Sequence, residues 1–379
     1  MLEIQKFIRD HEDWEELLTK APYFIKINRD GDYIIFKYNQ LANSEVDHYF
    51  KDPIVRECRG LILDACYRAV CVPFFKFMNA EEPDSDLDII DWTSASVQQK
   101  IDGSLIKMFF DRDKWHVATN GTIDAFKAEL PPGVNTKHKN YGELFVDEVC
   151  KIPSILSFDL LCNYLDKNCT YMFELVTDEN RVVVPASNYI SGVYLLGCRN
   201  NTTFEEKDLS KTFFSSIIAM PKRYDLHSYN DIKNVANELS WDQEGFVVCD
   251  KYFHRVKIKS PAYVKAHFAR NNGVMTYERL MDIILSGEKN EFLAYASDYK
   301  ESLEKVEQAR NSAIESVTEV AINLKSKTYG NRKDFALDVL KQPSWMQPFL
   351  FKSDTLDTFI SNLTAANWIK ILKLKGDLA

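Results

Sequence analysis

The 379-residue sequence contains no apolar run approaching the roughly 18 residues needed to span a bilayer, so no membrane partner is expected. Its first residues, Met1-Leu2-Glu3-Ile4-Gln5-Lys6, lack the basic-then-apolar layout of a secretory leader. Paired cysteines are missing too. The eight cysteines, at positions 58, 66, 71, 150, 162, 169, 198 and 249, form no CxxC and have no histidine at metal spacing. That argues against structural zinc and against a disulfide framework, and for reduced thiols in a cytoplasmic compartment. Positive charge is in deficit: 47 Lys and Arg face 56 Asp and Glu, a net −9. The deficit gives no support to nucleic-acid binding but does not exclude it, because binding depends on where basic residues gather. Neither an internal repeat nor a low-complexity tract is visible.

What is present is a globular composition, 45% hydrophobic and 13% aromatic, long enough for two domains with sizeable cores. Residues 2–20 have helical spacing, and 23–38 reads as a hairpin around the turn Arg29-Asp30-Gly31-Asp32. Apolar strands are expected at 60–63 and 69–75, bordered by Arg59 and Lys76, then an acidic loop over 81–91. Further strands are expected at 105–110, 114–118, 170–176, 182–185 and 189–197, with a turn at 119–122. Helices are expected at 125–130, 140–150 and 231–239, and a closing strand pair at 244–248 and 255–260. Residues 1–265 are therefore expected to fold as an α+β domain of mainly antiparallel sheets with flanking helices. Beyond Pro261 the period becomes 3.6 over 277–285, 291–324, 332–341 and 356–374, which predicts a smaller all-α domain over 266–379.

One stretch carries chemistry: Lys100-Ile101-Asp102-Gly103-Ser104-Leu105. A lysine becomes a nucleophile when its amine is neutral, which nearby positive charge or loss of water favours. The glycine permits a tight turn and close approach of a ligand. Such a lysine, with an acid two residues on and a flexible backbone, is suited to attack on phosphorus. Alone, KxDG more often marks the solvated end of a strand.

Charged residues inside strands add to it. Glu174 lies between Phe173 and Leu175, and Glu244 precedes Gly245-Phe-Val-Val. Lys257 and Lys259 alternate with Val256 and Ile258, which puts both amines on one strand face. Singly, alternating lysines are usually an exposed face, and a strand glutamate can pair across strands. Together with Lys100 they can line one cleft. The lysines would neutralise phosphate charge, and the carboxylates would hold hydrated Mg²⁺ and sugar hydroxyls.

This ordered set, KxDG, a strand Glu, EG with aliphatics and KxK, resembles the covalent nucleotidyltransferases, the superfamily of ATP-dependent ligases and capping enzymes. Within it the chain most resembles the phage-type RNA ligase 1 family. Glu57-Cys58-Arg59-Gly60 looks like that family's ECRG, Lys76-Phe77-Met78-Asn79 like its KFxN, and Phe36-Lys-Tyr38-Asn39 like its tyrosine-bearing strand. Glu174 through Arg181-Val-Val looks like FExVxxxNRIV, and Lys257-Ile-Lys-Ser260 is followed by Tyr263-Val-Lys-Ala-His267 much as in the family. The chain departs from the pattern at Asn120, where a basic residue usually precedes the glycine, and at Ile101, where an acid is common.

The resemblance implies an adenylyltransferase domain and an ATP-dependent RNA ligase that joins a 5′-phosphate to a 3′-hydroxyl in RNA or tRNA repair. Lys100 would be the catalytic nucleophile, forming lysyl-AMP and then adenylylated RNA. Lys257 and Lys259 would contact the α-phosphate, and Arg59 and Lys76 the β and γ phosphates or later the RNA 5′-phosphate. Glu174 and Glu244 would bind nucleotide and organise Mg²⁺ or Mn²⁺, Glu174 also meeting the ribose. Tyr38 would line the nucleoside pocket, and Asp102 would bind the metal or cap its turn. The implied partners are single-stranded or nicked tRNA-like RNA, recognised in part by the helical domain, and a separate end-healing kinase-phosphatase. The chain is expected to be a monomer. Two other readings stay open: a DNA or broad-specificity ligase, and a non-catalytic nucleotide- or RNA-binding relative.

Overall fold

The computed structural model describes residues 1–44, 46–131, 136–268 and 275–378. Two compact units result, Met1–His267 and Phe268–Ala379.

The first unit contains thirteen strands. In chain order they are β1 (Lys26–Asp30), β2 (Tyr33–Lys37), β3 (Arg59–Asp64), β4 (Ala69–Cys71), β5 (Ser96–Gln99), β6 (Ser104–Asp111) and β7 (Lys114–Thr119). They continue with β8 (Cys169–Leu175), β9 (Val193–Asn200), β10 (Glu206–Lys207), β11 (Arg223–Tyr224), β12 (Gly245–Cys249) and β13 (Arg255–Lys259). They form three sheets, ordered β1-β2-β3-β4, β10-β9-β8-β6-β7 and β11-β5-β12-β13. Every ladder between these strands is antiparallel.

Strand alternation decides which residues face which layer. Ile34, Phe36, Leu61 and Leu63 pack with Ile4, Ile8 and Leu18 of the N-terminal helices. On the opposite face, Tyr33, Ile35, Ile62 and Cys71 meet Phe109 and Ala118 of the second sheet. The other side of that second sheet, with Ile106, Met108, Tyr171 and Phe173, is covered by the helices Tyr141–Cys150 and Phe158–Tyr164. Phe246, Val248, Val256 and Ile258 pack with Ile232 and Ala236 of the helix Tyr229–Glu238.

The second unit is helical: Tyr277–Ser286, Lys289–Tyr295, Lys300–Lys325, Arg332–Leu340, Gln347–Leu350, Leu356–Ser361 and Ala365–Lys375. Its buried side chains include Leu280, Leu303, Val317, Phe349 and Trp368. Thr276 caps the first of these helices through its side chain, and left-handed Gly287 ends it.

Several elements differ from the sequence reading. Residues 2–20 form two helices, Glu3–Asp10 and Trp14–Thr19, because the His11 ring takes the Phe7 carbonyl that a continuing helix would use. Residues 125–130 hold only the 3₁₀ turn Ala125–Lys127, after which Glu129 pairs with Asn140. Residues 182–185 are not a strand, since the Val183 and Val184 N–H groups donate to Asp102 rather than to a ladder. The 291–324 helix is interrupted by the turn Ser297–Tyr299, and the 356–374 helix is restarted by the Thr364–Asn367 capping box. Strand β5 and the helix Phe158–Tyr164 were not anticipated.

Candidate active site

Lys100 follows β5 directly, and its backbone N–H donates to Gly245 O at 2.9 Å. Because β5 and β13 flank β12, this bond brings the lysine beside Glu244 and opposite Lys259, the partner of Gly245. The Lys100 amine donates to Glu244 Oε2 at 2.8 Å, and Lys259 Nζ lies 3.3 Å from Glu244 Oε1. Glu244 is thus a buried carboxylate held between two amines.

Residues 101–103 then cross from the third sheet to the second. Ile101 is buried with Val176 and Tyr194. Asp102 is also buried, and its two oxygens take three donors: Val183 N at 2.9 Å, Val184 N at 2.7 Å and Tyr263 Oη at 2.7 Å. This commits Asp102 to holding the Lys100 turn, the 183–184 segment and the residue four positions past Lys259 in one arrangement. Gly103 lies so close to Leu175 O that an added β-carbon would clash with it. That contact lets β6 start alongside β8, with Leu105 opposite Glu174. Burial raises the Glu174 carboxyl to about 7; Lys100 opposes the shift and the Glu244 charge adds to it.

Arg59 enters from the first sheet. Its guanidinium lies over the Phe77 ring at 5.5 Å, and its Nη1 is buried with no hydrogen-bond partner. Lys257 lies over the same ring at 5.9 Å, because residues 78–80 bond to its backbone: Lys257 N donates to Met78 O at 2.9 Å and Ala80 N to Lys257 O at 2.8 Å. Lys76 is buried over the Tyr38 and Phe50 rings, and its amine donates to Tyr38 Oη at 3.3 Å. Burial pushes the Tyr38 phenol up, but Lys76 and Arg59 outweigh it and hold the phenol below its ordinary range.

A cavity of about 800 Å³ opens in this unit, with Arg59, Phe77, Lys100, Gly103, Asn120 and Glu174 in its wall. Of the residues singled out from sequence, Arg59, Lys100 and Glu174 are on that wall. Glu244 pairs with both Lys100 and Lys259, and the Lys257 amine lies over the Phe77 ring. Tyr38 and Lys76 form a neighbouring cluster rather than wall, and Asp102 is a strut. Sequence reasoning did not single out Tyr189, whose hydroxyl accepts from Asp102 N at 3.0 Å, nor Asn180, whose amide donates to Ser104 Oγ at 2.9 Å and Leu175 O at 2.8 Å. Glu57, part of the ECRG stretch, serves the fold, since its carboxylate accepts from Glu3 N and Ile4 N at the start of the first helix.

The cavity suits a nucleoside triphosphate. An unpartnered buried guanidinium nitrogen is rare and calls for an acceptor such as a phosphate oxygen. Among the described residues no three His, Cys, Asp or Glu side chains are grouped to hold a metal. Glu174 and Glu244 supply two carboxylates. That donor set fits Mg²⁺, which takes one or two carboxylates and completes its shell with water and phosphate oxygens.

Comparison with known proteins agrees. Residues 57–263 match a family model described as RNA ligase, which covers more than half of the chain. The chain belongs to the phage-type RNA ligase family. One relative in that set, from Autographa californica nuclear polyhedrosis virus, is named as a bifunctional polynucleotide kinase/RNA ligase. It is 31% identical over 79% of this chain and 42% of its own length. An RNA ligase of Rhodothermus phage RM378 is 24% identical over 73% of each chain. The chain thus spans less than half of the viral relative and about three quarters of the phage RNA ligase. Among solved structures, an archaeal ATP-dependent RNA ligase aligns over 81% of this chain and 78% of its own. It is 11% identical to this chain, with a TM-score of 0.49.

Proposed function

We propose that the chain is an ATP-dependent RNA ligase that joins a 5′-phosphate to a 3′-hydroxyl in three transfers. The observation that carries this reading is the Lys100 amine held against Glu244 at 2.8 Å, beside the cavity that Arg59 and Glu174 also line.

In the first transfer Lys100 Nζ attacks the α-phosphorus of ATP, a P–N bond forms and pyrophosphate leaves. Glu244 Oε2 is placed to hold the proton that the amine must shed. Lys257 and Lys259 neutralise α-phosphate charge, and Arg59 meets the outer phosphates with its free Nη1, with Lys76 beside it. In the second transfer the RNA 5′-phosphate oxygen attacks the same phosphorus, restoring the lysine. In the third the 3′-hydroxyl attacks the activated 5′-phosphate, and AMP leaves. All three are in-line displacements, where positioning and charge neutralisation supply most of the acceleration. Held by Glu174 and Glu244, Mg²⁺ would neutralise developing phosphate charge.

The acceptor we propose is single-stranded RNA or a broken tRNA-like loop. Residues 268–379 carry 15 Lys and Arg against 15 Asp and Glu, so the second unit is neutral and the deficit of −9 lies in the first. RNA contact by the second unit would therefore rest on local basic faces such as exposed Lys370 and Lys373. The kinase named in the viral relative supports an end-healing activity that works with this ligase.

The test is incubation with α-labelled ATP and Mg²⁺, after pyrophosphate treatment to strip any preloaded AMP. Acid-labile label on the parent and none on Lys100→Ala is expected. No label on the parent would overturn the ligase reading. Parallel RNA and DNA acceptors then separate an RNA ligase from a broad-specificity one.

A further inference from the structure

Lys107 lies inside the apolar run of β6 and is completely buried. Its neighbours Ile106 and Met108 point into the helix-covered core, so the lysine points the other way, between the first and second sheets. Its amine donates to Gly60 O, next in the chain to Arg59. Gly60 has φ +82, and a β-carbon built on it would fall 2.7 Å from Lys107 Nζ and 2.8 Å from Asn120 Oδ1. The Lys107 amine and the Asn120 amide therefore converge on one point beneath Arg59. Asn120 Oδ1 is itself buried with no partner, and Asn120 is part of the cavity wall.

Among the described residues, the groups that act on Lys107 include no carboxylate. They are Cys71 of β4, Arg59 and Gly60 of β3, Lys37 of β2 and Asn120 after β7. Burial keeps the Cys71 thiol protonated by pushing it above its ordinary range. Lys37, Arg59, Lys76 and Lys107 have no ion-pair partner among the described residues, in a chain that carries an excess of nine negative charges. Four cations without an ion-pair partner, two of them buried, suit a polyanion.

We propose that Lys107 is a proton-carrying positioning residue of this site: in mildly alkaline solution it takes up a proton from solvent when the outer phosphates of ATP enter beside Arg59, and it holds the Gly60 turn beneath them. This inference rests on the nucleotide reading of the cavity. The step is a protonation only, in which the amine lone pair binds a proton released by buffer and no other bond changes. Burial, with Arg59 and Lys37, lowers the amine to about 8, so the empty protein sheds this proton in mildly alkaline solution. Phosphate charge nearby favours the ammonium form and draws the proton back.

The experiment is calorimetric titration of ATP into the full chain carrying Lys100→Ala, in two buffers of different ionisation enthalpy, at pH 6.5 and 8.5. Expected uptake at pH 8.5 is about 0.7 proton per ATP more than in the same chain with Lys107→Met, and the difference vanishes at pH 6.5. Lys107→Met should weaken ATP binding about tenfold, and Asn120→Lys in that background should restore it without restoring proton uptake. Should Lys107→Met fail to fold, Lys107→Arg keeps a fixed charge, and loss of the extra uptake in it carries the same meaning. Equal uptake in the Lys107 chain and in whichever variant folds would overturn the proposal. No ATP binding by the parent would overturn the nucleotide reading, and this inference with it.

Discussion

The Lys100 amine and the Glu244 carboxylate are 144 residues apart in sequence and 2.8 Å apart in the fold. Beside this contact the backbone bond from Lys100 N to Gly245 O continues the β5–β12 ladder one residue past the end of the strand. Lys259 reaches the second oxygen of the same carboxylate. The carboxylate thus holds two amines, and on the proposed reading the departure of the Lys100 amine for chemistry leaves Lys259 to stabilise it.

Glu244→Gln tests this directly. The amide keeps the shape of the side chain but cannot hold a proton, so formation of lysyl-AMP should fall by about 100- to 1,000-fold. Sealing of RNA that already carries a 5′-adenylate should fall much less. Equal loss in both assays would show that Glu244 serves every step alike and is not the proton holder of the first.

Asp102→Asn bears on the strut. Asparagine offers one carbonyl oxygen where the carboxylate accepts from Val183 N, Val184 N and Tyr263 Oη. At least one buried donor loses its partner, at about 1–3 kcal/mol. The urea midpoint should drop accordingly, and adenylylation should fall with it. A variant of unchanged stability and metal-dependent inactivity would instead make Asp102 a metal ligand.

How much of this was legible beforehand can be argued from individual residues. Glu174, Lys257 and Lys259 were legible because a charge inside a strand contradicts its local pattern, Lys100 through its KxDG stretch, and Glu244 through its place just before an apolar strand. Lys107 gives the same signal, being a lysine within Leu105–Phe110, and the same reasoning applied there would have flagged it. Strand β5 was not legible, because Ser96-Val-Gln-Gln has one apolar residue and acquires its place from β12. Residues 182–185 misled for the opposite reason: their valines have strand character, but Asp102 takes their N–H groups, and only the fold brings it near. Tyr38 and Lys76 were legible through the family resemblance, but the Phe50 ring that lies against the Lys76 amine is marked by no motif.

Glu174 sets a pH-dependent cost. Its carboxyl is raised to about 7 in the folded chain from an ordinary 4.5, so between these values the folded state holds a proton that the unfolded state has lost. Stability from this group is therefore present below about pH 4.5 and declines as pH rises through 7. In the presence of a chelator, Glu174→Gln should match the parent at pH 4.5 and exceed it by about 1–3 kcal/mol at pH 8 while losing activity. Glu57, also raised to about 7 by burial, leaves a residual slope in both proteins. Urea midpoints across this range decide it: a gap that does not widen with pH would show that Glu174 ionises freely in the fold.

Gly103→Ala separates backbone approach from simple flexibility. A methyl group at Gly103 meets Leu175 O, a backbone atom of a central strand that has little room to move. The start of β6 must shift from β8, carrying Lys100 away from Glu174. The cost to stability is expected at about 1–3 kcal/mol. Adenylylation should fall by about 100-fold, since displacement of the nucleophile by about 1 Å is enough for that. Gly121→Ala is the matched control. Its methyl meets only the end of the Lys37 side chain at 3.6 Å, so folding and label transfer should both stay at parent levels. If Gly103→Ala labels as fast as that control, the close approach of β6 to β8 does not position the nucleophile.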